Sequence, residues 1–141
     1  MRNLEHLFYN TTMLVWLAPM DGFTDCIYRY IVHKVFDQFG ANDNELWSWT
    51  EFMNADGFLR EPKRLVPHLL YCSDSHKPIA QIYWWNHDSL VSAAERVHRL
   101  YPWFEWIELN IWCPSPRIMK CEAWAWMLKN KAKTMAIIKD I

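Results

Sequence analysis

The chain has 141 residues, enough for one globular unit with a sizeable core. Hydrophobic residues make up 52% and charged ones 22%, and the formal net charge is −1. Phosphate neutralisation supplies most nucleic-acid affinity, so this balance argues against a strong nucleic-acid binder in this segment alone. No apolar run reaches the roughly 18–20 residues of a membrane span, and the first residues lack the basic segment and apolar core of a secretory signal. Cys26, Cys72, Cys113 and Cys121 form no C-x-x-C pair, so neither a zinc site nor a disulfide framework is expected, and the default setting is reducing and cytoplasmic.

Residues 13–18 form a short apolar run stopped by Pro19 and read as a first strand. Thr24 is placed to cap the helix that follows, with Ile27, Tyr30, Ile31, Val35 and Phe39 at helical spacing and Gly40 as its stop. Residues 45–51 read as a second strand with Trp47 and Trp49 at its middle, and 57–70 as a helix in two pieces, broken by Pro62 and Pro67. Pro78 opens a third strand through Tyr83. Asp88 then caps a helix to Leu100, with Leu90, Ala93, Ala94 and Val97 on its inner face. Residues 106–111 make the fourth strand, whose weak alternation suits burial on both faces. The last helix spans 133–141, with Met135, Ile138 and Ile141 apolar.

Strands alternating with helices predict a parallel α/β sheet with right-handed crossovers. Four βα units are legible, whereas a closed eight-unit barrel takes about 250 residues. The expected architecture is therefore half a barrel, a single unit over 1–141. In a parallel barrel the functional groups gather where strands end, at the carboxyl rim. Here those groups are Met20 and Asp21, Thr50 and Glu51, Gln81, and Asn110 with Cys113. The histidines His33, His68, His76, His87 and His98 show no metal-ligand spacing and read as solvated, as do Arg96, Arg99 and residues 129–133.

The segments Leu17-Ala18-Pro19-Met20-Asp21-Gly22, Thr50-Glu51-Phe52-Met53, Ile79-Ala80-Gln81-Ile82-Tyr83 and Asn110-Ile111-Trp112-Cys113-Pro114-Ser115-Pro116 together resemble the strand ends of the tRNA-dihydrouridine synthases. Dihydroorotate dehydrogenases, also flavin barrels, carry a string similar to Asn-x-x-Cys-Pro; the Ala-Pro-Met-Asp-Gly and Pro-Ser-Pro neighbourhoods favour the former family. The resemblance covers most of the chain from Leu17 onward. It implies a (β/α)8 TIM-barrel flavoprotein with FMN as cofactor, NADPH as reductant and tRNA as substrate. By the same resemblance Pro19, Met20, Gln81 and Asn110 face the flavin, Asn110 and Glu51 meet the substrate base, and Cys113 is the catalytic proton donor. No metal and no membrane are implied. The second half of the barrel and the C-terminal helical tRNA-binding domain of the family are expected to be missing. The 141-residue polypeptide is accordingly expected to bind FMN poorly or not at all. The non-enzymatic alternative is an inactive half-barrel that self-associates through exposed sheet edges.

Three glycines and ten tryptophans are an unusual pair of counts, since average usage would give about ten glycines in a chain this long. Trp84, Trp112 and Trp124 stand where the resembled family has glycine, and Trp106 fits a glycine entering the fourth strand. Glycine at such places removes a side chain from a crowded pocket. UGA codons decoded as glycine in the source and written here as tryptophan would produce this pattern; UGG codons at 84, 112 and 124 would end that idea. Glu122 also replaces a family glycine, which codon reassignment does not explain. Competing readings are a decaying pseudogene or deliberate substitution. Another takes the indoles as stacking platforms for single-stranded RNA, and it is disfavoured because most are expected at strand ends or tight loops rather than on one exposed face.

Overall fold

The structure, a computed structural model, describes residues 13–39, 44–71, 78–111, 115–116, 120 and 123–141. Five strands form one parallel sheet: β1 (Leu14–Leu17), β2 (Glu45–Trp49), β3 (Met53–Asn54), β4 (Pro78–Tyr83) and β5 (Trp106–Leu109). The helices are α1 (Cys26–Phe39), α2 (Ala55–Arg60), α3 (Pro62–Leu69), α4 (His87–Leu100) and α5 (Lys131–Asp140), with a 3-10 helix at Trp124–Lys129. Among the described residues β1 pairs with β2, and β4 lies between β2 with β3 and β5, so the sheet is open. A parallel α/β sheet with its strands in chain order, unclosed, is a partial barrel, as the sequence predicts.

β2 and β3 are one strand interrupted by a bulge. Trp49 is opposite Ile79 and Met53 is opposite Ile82, so Thr50, Glu51 and Phe52 face only Ala80 and Gln81. Thr50 closes the gap: its N–H donates to Ile79 O (2.9 Å), and its hydroxyl oxygen accepts from Gln81 N (3.0 Å) where a backbone carbonyl would otherwise stand. The same hydroxyl donates to Glu51 O (2.8 Å). Thr50→Val keeps the shape but leaves the buried Gln81 N–H unpaired. Its expected cost is about 1–3 kcal/mol, read as a lower urea midpoint at unchanged slope.

The main core lies between the sheet and α2, α3, α4 and α5. Met53, Phe58, Leu69, Ala80, Ile82, Leu90, Ala93, Ala94, Val97 and Ile137 are buried there in one cluster. The four inner-face residues expected on α4 are all buried, but its cap is Asn86, whose side chain accepts from Ser89 N (2.9 Å), rather than Asp88. α1 is likewise capped by Asp25, which accepts from Tyr28 N (2.8 Å). Thr24 instead folds back onto Met20. Pro62 opens α3, whereas Pro67 lies inside it without ending it.

Two helices turn a different face inward from the one their apolar spacing suggested. In α1 the residues Ile27, Tyr30, Ile31, Val35 and Phe39 are exposed, while Arg29 and His33 are buried. Arg29 donates to Thr24 O (2.6 Å) and Leu70 O (2.9 Å), and His33 Nε2 lies 2.9 Å from Ser48 Oγ. Polar groups on β2 and the α3 terminus thus select the face. α5 buries Thr134 and Ile137 and exposes Met135, Ile138 and Ile141. His33 is therefore not solvated, and neither is Arg96, which is half-buried over the Phe58 ring, 5.4 Å from its centroid. His76 lies outside the described residues.

Strand alternation places Trp16, Trp47, Trp49 and Trp106 on the sheet face that also carries Gln81. Trp16 and Trp49 pack with ring centroids 5.8 Å apart. These four of the ten tryptophans share one face. No described helix is long and apolar enough to cross a membrane.

Candidate functional site

The carboxyl ends of the described strands carry Met20 and Asp21, Thr50 and Glu51, Gln81, and Asn110, as anticipated from the sequence. Gln81 and Asn110 are buried, at 1% and 6% exposure. The β4–β5 register sets Gln81 beside Glu108, and the ladder continues with Asn110 N donating to Ile82 O (2.9 Å). This brings the two carboxamides together: Asn110 Nδ2 donates to Gln81 Oε1 (3.1 Å). Gln81 Nε2 in turn donates to Glu108 Oε1 (3.2 Å), and Trp49 Nε1 donates to Glu108 Oε2.

Glu108 was not anticipated. Its one sequence signal is a lone acid between Ile107 and Leu109 in an otherwise apolar strand. Burial pushes its carboxyl above the usual carboxylate range, opposed by the hydrogen bond from Gln81. The folded state then holds its proton to higher pH than the unfolded chain does. This group's contribution to stability accordingly falls as pH rises from the ordinary glutamate value through the raised one. Glu108→Gln is expected to remove that decline, seen by comparing unfolding free energies of the two proteins across this pH window.

Pro19, half-buried, and Met20, partly exposed, form a turn at the end of β1. The Met20 carbonyl accepts from Phe23 N (3.1 Å) and Thr24 N (3.0 Å), and the Thr24 hydroxyl accepts from Met20 N (2.9 Å). Gly22 has φ +74, a conformation that side chains resist. Glu51, buried in the β2–β3 bulge, reaches across: its Oε2 accepts from Gly22 N (2.6 Å), and its Oε1 is 3.5 Å from His68 Nδ1. The bulge thus aims Glu51 at the loop after β1, and His68 is a neighbour of the rim rather than a solvated residue.

Cys113, the expected proton donor, lies outside the described residues, as does Trp112. Trp84 is half-buried against the core and packs edge-on to Tyr83, with centroids 6.4 Å apart. A cavity of about 910 Å³ wraps β5, lined by Trp49, Trp106 and Glu108 on one side and by Ala94, Val97 and Ile138 on the other, and neither Gln81 nor Asn110 lines it. It follows the uncovered edge of the open sheet among the described residues, so the amide row is the better guide to chemistry.

Two buried amides side by side offer both donors and acceptors, the set that matches the pyrimidine edge of a flavin or a uracil. That donor set at a parallel-strand rim fits the flavin chemistry of the resembled family. Residues 16–141 match the family model described as dihydrouridine synthase (Dus). The chain belongs to the dihydrouridine synthase family of flavin-dependent oxidoreductases.

Proposed function

We propose that this chain forms the cofactor- and base-facing rim of an enzyme that reduces uridine to 5,6-dihydrouridine in tRNA, with FMN as cofactor and NADPH as reductant. The observation that supports it best is the hydrogen-bonded pair Gln81–Asn110 at adjacent strand ends. When bound, FMN supplies hydride for C6 of the uracil ring. Gln81 and Asn110 hold the flavin edge, with Pro19 and Met20 packing beside it, and Asn110 also meets the substrate base. Cys113 holds the proton destined for C5. An unperturbed thiol titrates near about 8.5 and is mostly protonated at neutral pH, so it suits this task. Glu51 has Oε2 committed to the Gly22 backbone, so Oε1, with its longer His68 contact, is the atom that would meet a substrate donor. The uridine leaves its base stack to reach such a site. With a net charge of −1 the segment recognises the base rather than supplying phosphate affinity.

Flavin fluorescence titration of a complete barrel carrying this segment tests this reading. Gln81→Ala is expected to weaken FMN binding by roughly tenfold, the worth of a good hydrogen bond in a buried site. An FMN affinity that Gln81→Ala leaves unchanged would overturn it. The self-associating half-barrel remains a second reading, favoured by the unpaired outer sides of β1 and β5 among the described residues and by exposed Trp16 and Trp106. Sedimentation as a monomer at high concentration counts against it.

A further inference from the structure

We propose that Glu108 is a positioning residue that sets the hydrogen-bond polarity of the whole amide row, and so decides which atoms Gln81 and Asn110 present to their ligands. The part concerning ligands rests on the function proposed above.

A primary amide can be turned end for end with almost no change of shape, so packing alone does not choose its orientation. An ionised carboxylate chooses it, because it accepts and never donates. Glu108 is Gln81's direct register neighbour and lies on the same sheet face. Its Oε1 draws Gln81 Nε2 toward it, which turns Gln81 Oε1 to the opposite side, toward Asn110. Asn110 must then offer Nδ2. One charge thus fixes two amides in sequence, each donating toward Glu108.

The other carboxylate oxygen faces Trp49 Nε1, an indole N–H that donates only. This makes Glu108→Gln informative. Trp49 holds the oxygen of the introduced amide, so its NH2 group faces Gln81. Gln81 must then turn to accept, and Asn110 must turn to accept from Gln81. Removing the negative charge thereby reverses the row while keeping the contacts that join Trp49, residue 108, Gln81 and Asn110. Adding Trp49→Phe removes the donor that holds the introduced amide, so the row is no longer driven into the reversed direction.

The test is the direction of side-chain hydrogen bonds, read by through-hydrogen-bond N–C couplings in labelled protein. Wild type is expected to show coupling from Gln81 Nε2 to the Glu108 carboxylate carbon and from Asn110 Nδ2 to the Gln81 amide carbon. E108Q should reverse the second, giving coupling from Gln81 Nε2 to the Asn110 amide carbon, in a protein that stays folded. E108Q/W49F should no longer show a uniformly reversed row. A wild-type row running the other way, or a direction that E108Q leaves unchanged, overturns the proposal. So does a collapse of stability in E108Q that E108Q/W49F does not recover, since that marks a merely structural role. FMN titration of a complete barrel carrying this segment addresses the functional reading separately: couplings as stated with no FMN binding there would fail that reading while upholding the row.

Discussion

Phe58→Ala is expected to lower the unfolding free energy by about 3–5 kcal/mol, the usual range for emptying a fully enclosed aromatic site. Phe58 has no exposed surface and sits on the short helix α2, where the chain has just left the β2–β3 bulge. The Arg96 guanidinium lies over its ring and the Tyr101 ring is 6.4 Å away, so α4 and the turn after it close around it. Truncation leaves a void at the junction of α2, α4 and the sheet, and the residues lining it belong to helices pinned at several other points. Little collapse is available to refill it. Domains of this size are stable by only about 5–15 kcal/mol, so the variant should have a much lower urea midpoint and a detectable unfolded fraction at room temperature. A loss below about 1 kcal/mol would mean that this core is far more plastic than its burial implies.

Cys113→Ala, in the flavin-loaded enzyme acting on tRNA, is expected to slow uridine reduction by about 10²–10⁴-fold, the usual worth of a positioned general acid. The measurement is single-turnover oxidation of pre-reduced enzyme on adding tRNA, followed by flavin absorbance. Serine should not rescue it, because an alcohol is a much weaker acid than a thiol. Flavin binding should stay within about twofold, since the amide row rather than the thiol holds the cofactor edge in this reading. Wild-type rates in both variants would remove Cys113 from the mechanism. The couple Gln81→Ala and Cys113→Ala therefore separates holding the flavin from delivering the proton.

Legibility of the fold varied with how local the deciding interaction was. β4 runs over Pro78–Tyr83, matching the expected strand at both ends, because an apolar run between proline and a helix cap is a signal contained in six residues. The buried face of α4 was also readable, since Leu90, Ala93, Ala94 and Val97 leave it only one apolar side. α1 misled because its apolar residues spread around most of the cylinder. Its inward side was chosen by Ser48, Leu70 and Thr24, which satisfy Arg29 and His33. The bulge was invisible in the pattern of residues 45–54, where one added residue changes pairing without changing composition.

By itself the sequence determined the alternation of strands and helices, the parallel sheet, and the presence of Gln81, Asn110 and Glu51 at strand ends, because run length, helical period and capping residues act over a few neighbours. Only the tertiary structure decided what those side chains do to one another. Glu108 meets Gln81 across 27 residues and Trp49 across 59, and Gln81 meets Asn110 across 29. Such contacts leave no periodic trace in the chain: their geometry comes from strand register, and register is settled by the packing of the whole sheet.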